Sequence, residues 1–277
     1  WRRSFIFEPA RATFFQHMNI KTKEEIAIMK EGGSRLASIL QELLDLSQPG
    51  VTLLSIDTRA DELIAAAGGF PSFKTVKGYS HATCLCLNDE VVHGVPNERV
   101  LKEGDLLTID IGLVYQGLHT DTAWTKIMQS AENKEQSEVQ KDKEQFLKIG
   151  EEALWKGIRE ARVGNRIGNI SKVIQETIEG AGYSIVKTLV GHGVGRELHE
   201  APQVPNFLKG DIGSTSELEE GMTIAIEPIY AVGGGDIVYS NTDGWTLATK
   251  DRSLSAECEH TIAITAGEPL VLTGGAT

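Results

Sequence analysis

Basic residues are in short supply: 27 Lys and Arg stand against 39 Asp and Glu, a formal net charge of −12, and they gather in no cluster. A phosphate backbone is held by grouped cations, so direct nucleic-acid binding is not expected. Cysteine is scarce as well. Cys84, Cys86 and Cys258 are too few, and odd in number, for a disulfide framework. No apolar run approaches the roughly 18 residues of a membrane-crossing helix. Only Phe5, Ile6 and Phe7 precede Glu8, short of the roughly 7 apolar residues of a signal-peptide core. The expected setting is a reducing cytoplasm, without membrane attachment. Chemical motifs are missing too: there is no Gly-x-Ser-x-Gly elbow, no Gly-x-Gly-x-x-Gly loop after a strand and no Walker sequence, which removes support for serine-hydrolase, dinucleotide and P-loop readings.

What remains is a globular composition, 40% hydrophobic and 24% charged, with 29 Gly against 8 Pro. A chain of 277 residues can bury roughly 70 to 75% of its unfolded surface, in one large core or two modest ones. Residues 1–17 read as an N-terminal extension or expression remnant that should be disordered, and 18–277 as a single catalytic domain. Thr22-Lys23-Glu24-Glu25 has capping-box spacing, and an apolar helical period then runs to Pro49-Gly50. Ser55 begins a second helix, stopped at Gly68-Gly69, and Ala82 to Leu87 reads as a strand. The order then returns: helices over Phe146–Ile158 and Ile167–Ile178, and a strand over Ser184–Val190. Gly50, Ile56 and Gly68 recur at one offset as Gly164, Ile170 and Gly182, the mark of a duplicated αα-β unit. Gln129 to Gln145 is charged and nearly free of apolar residues, so a mobile surface loop is expected there.

The chemistry is concentrated in acids that lie inside apolar strands. Leu106–Val114 and Leu118–Met128 read as a hairpin joined at Tyr115-Gln116-Gly117, with Asp110 and Asp121 inside the strands. A two-residue loop puts both on one face, opposite or on the near diagonal, with Cβ atoms roughly 5 to 8 Å apart. Like charges so placed destabilise a sheet unless a cation lies between them. Glu227 sits in Met222–Pro228 and Glu259 just before His260–Ile264, both apolar settings where an unpartnered carboxylate costs several kcal/mol. His192 lies in Gly191-His192-Gly193-Val194-Gly195, where glycines let the backbone turn tightly. His199-Glu200-Ala201-Pro202 opens like a zincin helix, but Pro202 and the missing second histidine exclude that motif. Cys84 and Cys86, at i and i+2 on a strand, read as small apolar residues, and His81, His119 and His260 as ordinary surface or neighbouring residues.

The strings Thr-Ile-Asp-Ile-Gly, His-Thr-Asp-Thr, Gly-His-Gly-Val-Gly-Arg, Ile-Glu-Pro and Glu-His-Thr, carrying Asp110, Asp121, His192, Glu227 and Glu259, resemble those of the methionine aminopeptidases, of the bacterial single-domain type, from about Ile20 to Leu272. The resemblance implies an α+β pita-bread fold, two pseudo-symmetric αα-β halves curving an antiparallel sheet around a dinuclear site. It implies two divalent ions (Co, Mn, Fe(II) or Zn), one held by Asp110, Asp121 and Glu259, the other by Asp121, His192, Glu227 and Glu259. It implies further that His199 contacts the scissile carbonyl, His93 the following peptide nitrogen, and that Glu227 handles the proton from water. The methionine pocket maps to Phe73, Tyr79, Cys84 and Trp245, with Val76 and Leu198 where relatives often carry aromatics. Glu257 and Cys258 likewise replace a glutamine and an aromatic. The implied substrates are nascent polypeptides and peptides with N-terminal Met, met by a monomer in transient contact with the ribosome. Competing readings are a proline-directed aminopeptidase or dipeptidase of the same fold, which usually has Arg-x-Glu-Asp before the last strand, and a non-catalytic binding module, which would be expected to have lost a ligand.

Overall fold

The structure is a computed structural model that describes residues 19–129 and 137–274. The proposed extension 1–17, and 130–136 of the charged segment, lie outside the described residues. Thr22 caps α1 (Lys23–Leu46): its hydroxyl accepts from the Glu25 N–H while the Glu25 carboxylate accepts from the Thr22 N–H. α2 spans Leu53–Ala66, two residues ahead of the start expected at Ser55. Thr52 is the true cap. Its hydroxyl accepts from the Ser55 N–H, and Ser55 folds its own hydroxyl back to the Thr52 carbonyl inside the first turn. Five strands complete the first half: β1 (Phe70–Pro71), β2 (Thr83–Leu87), β3 (Glu90–Val92), β4 (Leu106–Tyr115) and β5 (Leu118–Ile127). β4 and β5 form a hairpin through Gln116 and Gly117, both at positive φ (49° and 82°), the two-residue turn that suits strand twist.

The second half opens differently from the expectation. From Glu138 the charged stretch is not a loop but the start of α3 (Glu138–Glu160). Ser137 caps it, Glu138 pairs with Lys141 at 2.7 Å, and the Lys143 ammonium donates to the Gly104 carbonyl. Glu, Lys and Gln are good helix formers, so cap and propensity carry the helix two turns before its apolar face begins at Phe146. α4 follows at Ile167–Gly180, then β6 (Ser184–Ile185), β7 (Val190–Gly193), β8 (Glu200–Pro205), β9 (Thr223–Ile226), β10 (Ile229–Ala231), β11 (Ile237–Tyr239), β12 (Leu247–Thr249), β13 (Ser255–Glu257), β14 (His260–Ala263) and β15 (Leu270–Val271). The single strand expected over Ser184–Val190 is two: β6 pairs with β10, and after a turn closed by the Leu189 N–H on the Val186 carbonyl, β7 joins β9.

The duplication holds down to single hydrogen bonds. Gly68 and Gly182 both end a helix at positive φ (74° and 89°); the Gly69 N–H returns to the Ile64 carbonyl at 3.1 Å, and the Tyr183 N–H to the Ile178 carbonyl at 3.2 Å. Helices α1 and α2 cover one sheet, built on β4 with β1, β2 and β5, through Leu36, Leu43, Ile56 and Ile64 against Leu85, Leu107, Ile109 and Ile111. α3 and α4 cover the other, ordered β15-β14-β9-β7-β8, through Phe146, Leu154, Ile170 and Ile174 against Ile224, Ile226 and Ile262. Each such fully buried side chain contributes about 1.5–3 kcal/mol. Because strand side chains alternate, committing Leu107, Ile109 and Ile111 to the helices turns Thr108, Asp110 and Gly112 to the opposite face. The sheets meet where β5 runs beside residues 258–261: the Glu259 N–H donates to the Ala123 carbonyl at 2.8 Å, and Thr261 exchanges bonds with the Asp121 backbone.

Candidate functional site

That seam collects the acids. In the hairpin, Asp110 is paired with Ala123 and Asp121 with Gly112, so the two carboxylates share a face on the near diagonal, as expected. β9 and β14 pair Ile226 with His260, and one step along the same register sets Glu227 opposite Glu259. His192, on β7, places its Nδ1 at 2.9 Å from the Gly193 carbonyl. A carbonyl can only accept, so Nδ1 carries the proton and Nε2 keeps its lone pair. That Nε2 lies 3.5 Å from Glu227 Oε1. Ligand atoms of Asp121, His192 and Glu259 all fall within 4.8 Å of one another.

No cation among the described residues neutralises this group. Among the described residues no lysine or arginine pairs with Asp110, Asp121, Glu227 or Glu259, and Asp110 Oδ1 and Glu259 Oε1 are buried without a hydrogen-bond partner. Burial, then the neighbouring carboxylates, holds the carboxyls of Asp110, Glu227 and Glu259 well above their ordinary range, and burial pushes Asp121 up to about 7. Burial and the nearby His199 lower His192 to about 3, keeping the imidazole neutral. Four carboxylates and a neutral imidazole with a bare Nε2 are the donor chemistry of hard and borderline divalent cations, and orphaned oxygens are what such ions satisfy. The residues fit a metal centre.

Two more histidines stand beside it. The His199 ring packs edge-on against His192, centroids 4.4 Å apart. His93, which follows β3 at φ 59°, is lowered to about 4 by burial and by His199. An apolar cluster adjoins: Phe73, Tyr79, Cys84 and Leu198, with Val76, Val95 and Trp245 packed on it. Cys84 lies directly opposite Asp110 in the β2–β4 pairing, and Leu198 precedes His199, so the cluster shares two walls with the acids. Tyr79 and Trp245 meet edge to face at 5.1 Å. The proposed ligands, the two histidines and the pocket residues Phe73, Tyr79, Cys84 and Trp245 thus adjoin one another, whereas Cys258 lies in the core under α3. Val95 was missed; it lies two residues after His93 in sequence, which was the available signal. Of the two readings of His119 and His260, as surface or as neighbouring residues, the surface one does not hold. Both histidines are buried, His119 against the Ser72 hydroxyl and His260 against that of Thr273 and beside the rings of Trp124 and Trp155, because connecting segments and α3 cover strand faces that alternation alone leaves open.

The segment from Val194 to Glu200 is fastened from below. Lys21 forms an ion pair with Glu200, the side chains only 1% and 2% exposed, and the other Glu200 oxygen accepts from the Glu197 N–H at 3.0 Å. Gly195, at φ 152°, leaves the space the lysine needs: a Cβ there would sit 2.2 Å from Lys21 Cε. Arg196 grips Glu25 with two bonds, of 2.8 and 2.7 Å.

The model of metallopeptidase family M24 matches residues 27–266. The chain belongs to this family. Within M24 it is 40% identical to methionine aminopeptidase 1 of Bacillus subtilis, over 88% of this chain and 94% of that one. The crystal structure of a methionine aminopeptidase from Thermotoga maritima superposes with a TM-score of 0.85 at 42% identity, covering 92% of this chain and 99% of that one. A prolidase from Pyrococcus furiosus, at 22% identity and a TM-score of 0.71 over 93% of this chain and 66% of its own, shares the fold. The duplicated halves and the seam between their sheets are the α+β pita-bread fold of M24.

Proposed function

We propose that this M24 chain is a metal-dependent aminopeptidase that removes N-terminal methionine. The observation that carries the reading is adjacency: Cys84 of the apolar cluster stands opposite Asp110 of the acid cluster. Asp110, Asp121 and Glu259 would hold one divalent cation, and Asp121, His192, Glu227 and Glu259 a second. Bound there, such ions supply Lewis-acid polarisation of a carbonyl and activation of water near neutral pH.

The chain's own groups do the rest. Phe73, Tyr79, Cys84 and Trp245, with Val76, Val95 and Leu198, form an apolar cluster that would line the site of an unbranched thioether side chain. Burial lowers His199, so it is neutral at pH 7 and offers an N–H to the scissile carbonyl oxygen. His93, neutral for the same reason, meets the next peptide nitrogen. Glu227, whose carboxyl is raised by burial, takes the proton from water and passes it to the departing amine. The substrates are nascent polypeptides and peptides beginning with Met. The same reading makes residues 18–277 one catalytic domain and the protein a cytoplasmic monomer that meets the ribosome transiently, without binding nucleic acid directly. No helix among the described residues is long and apolar enough to cross a membrane.

Metal-supplemented protein is expected to release methionine from Met-Ala-Ser and to stop when a chelator is added. Release of proline-adjacent residues with no action on Met-Ala-Ser would replace this reading with a proline-directed one.

A further inference from the structure

Glu257 is given no role by the reading above. It lies at the end of β13 with 4% of its surface exposed. Its backbone is pinned to β5, the N–H donating to Thr125 Oγ1 at 2.9 Å and the carbonyl accepting from the same hydroxyl at 2.7 Å. Two residues on, the Glu259 N–H donates to the Ala123 carbonyl of the same strand. Between them Cys258 points into the core under α3. Alternation along an extended segment therefore sends Glu257 and Glu259 together to the other face, the one bearing Asp110 and Asp121. There the Glu257 charge acts on Asp110, Glu227 and Glu259.

Its Oε2 is buried and has no hydrogen-bond partner. That oxygen meets no donor to accept from and no acceptor to donate to, so nothing among the described residues satisfies it whether the carboxyl is ionised or protonated. Among the described residues it also enters no ion pair. A buried polar atom left so costs free energy unless something outside the protein's own groups meets it. Asp110 Oδ1 and Glu259 Oε1, on the same face, are orphaned in the same way. We propose that Glu257 is a fifth carboxylate of the cation site, an ancillary group on the Asp110 side through which the centre holds divalent metal more tightly than Asp110, Asp121, His192, Glu227 and Glu259 do alone. This inference rests on the metal-dependent reading.

The test uses full-length protein equilibrated with Mn²⁺ in a graded series of chelator buffers, with bound Mn²⁺ measured by elemental analysis. Glu257→Gln keeps the shape and removes the charge. It is expected to need at least tenfold more free Mn²⁺ for half retention of one ion. Glu257→Asp, shorter but charged, is expected to fall between Gln and wild type. Retention by Glu257→Gln within twofold of wild type would overturn the proposal, as would Asp retaining less metal than Gln, since shape would then matter more than charge. Should Glu257→Gln fail to fold, Glu257→Asp decides: a weakening of threefold or more supports the proposal and unchanged retention overturns it. Wild-type protein that retains no Mn²⁺ would remove the metal-dependent reading itself, which separates the two failures.

Discussion

Changing Lys21 to methionine removes one charge of a pair whose side chains are 1% and 2% exposed, leaving Glu200 buried with only the Glu197 N–H to meet it. Removing one partner of a buried pair costs about 3–5 kcal/mol, because the other charge is left uncompensated. For a chain of this size about 2–4 °C of Tm accompanies each kcal/mol, so Lys21→Met should melt about 6–20 °C below wild type in calorimetry of the metal-loaded protein. Adding Glu200→Gln removes the stranded charge and should recover at least half of that loss. Glu200 follows His199 directly, and a misplacement on the order of 1 Å costs up to about 10² in rate, so kcat on Met-Ala-Ser should fall at least tenfold with little change in KM. Retention of wild-type Tm and kcat by Lys21→Met would refute the idea that this pair fastens the His199 segment.

His199→Ala should lower kcat by roughly 10²–10³, the range for loss of one oxyanion donor, with metal content unchanged; a variant depleted of metal would make His199 a ligand instead. Chelated protein should respond to pH through its buried acids. Folding raises Asp121 to about 7 and Glu257 to about 8, from about 4 in the unfolded chain. A group raised on folding stabilises below its unfolded value, and that stability is lost as pH rises through the folded one. Above about pH 7.5 the histidines lowered by burial are almost wholly neutral in both states and add little to the slope. The Tm of chelated protein should therefore fall between pH 7.5 and 8.5, and added Mn²⁺ should remove most of that fall; a flat or rising profile in that window without metal would contradict the burial of these carboxyls.

The parts of the site written in local pattern were legible in the sequence. Asp110 and Asp121 stood out because a charged residue interrupts Leu107, Ile109 and Ile111, and hairpin parity alone placed them on one face. Glu227 and Glu259 announced themselves in the same way. The capping box at Thr22 and the glycines at 68 and 182 gave the helix ends and the duplication. The proposed methionine pocket was different. Phe73, Tyr79, Cys84, Leu198 and Trp245 are far apart in the chain and follow no period, so only the family resemblance connected them before the fold did. The Lys21–Glu200 pair had no local signal at all, its members being 179 residues apart. The first turns of α3 were hidden for the opposite reason: their signal is propensity and capping, and the search for apolar periodicity passes over a segment rich in Glu, Lys and Gln.

The central claim is that Asp110, Asp121, His192, Glu227 and Glu259 hold the divalent metal that hydrolysis requires. The most direct test measures bound metal and methionine release from Met-Ala-Ser in the same samples of wild type and Asp110→Asn, prepared anaerobically with excess metal. The amide keeps the shape of the side chain but removes the charge that holds a cation, so Asp110→Asn is expected to lose at least one ion and most of its turnover together. An Asp110→Asn enzyme that keeps more than half of wild-type turnover at saturating metal, or a wild type that releases methionine with no bound ion, would contradict the account.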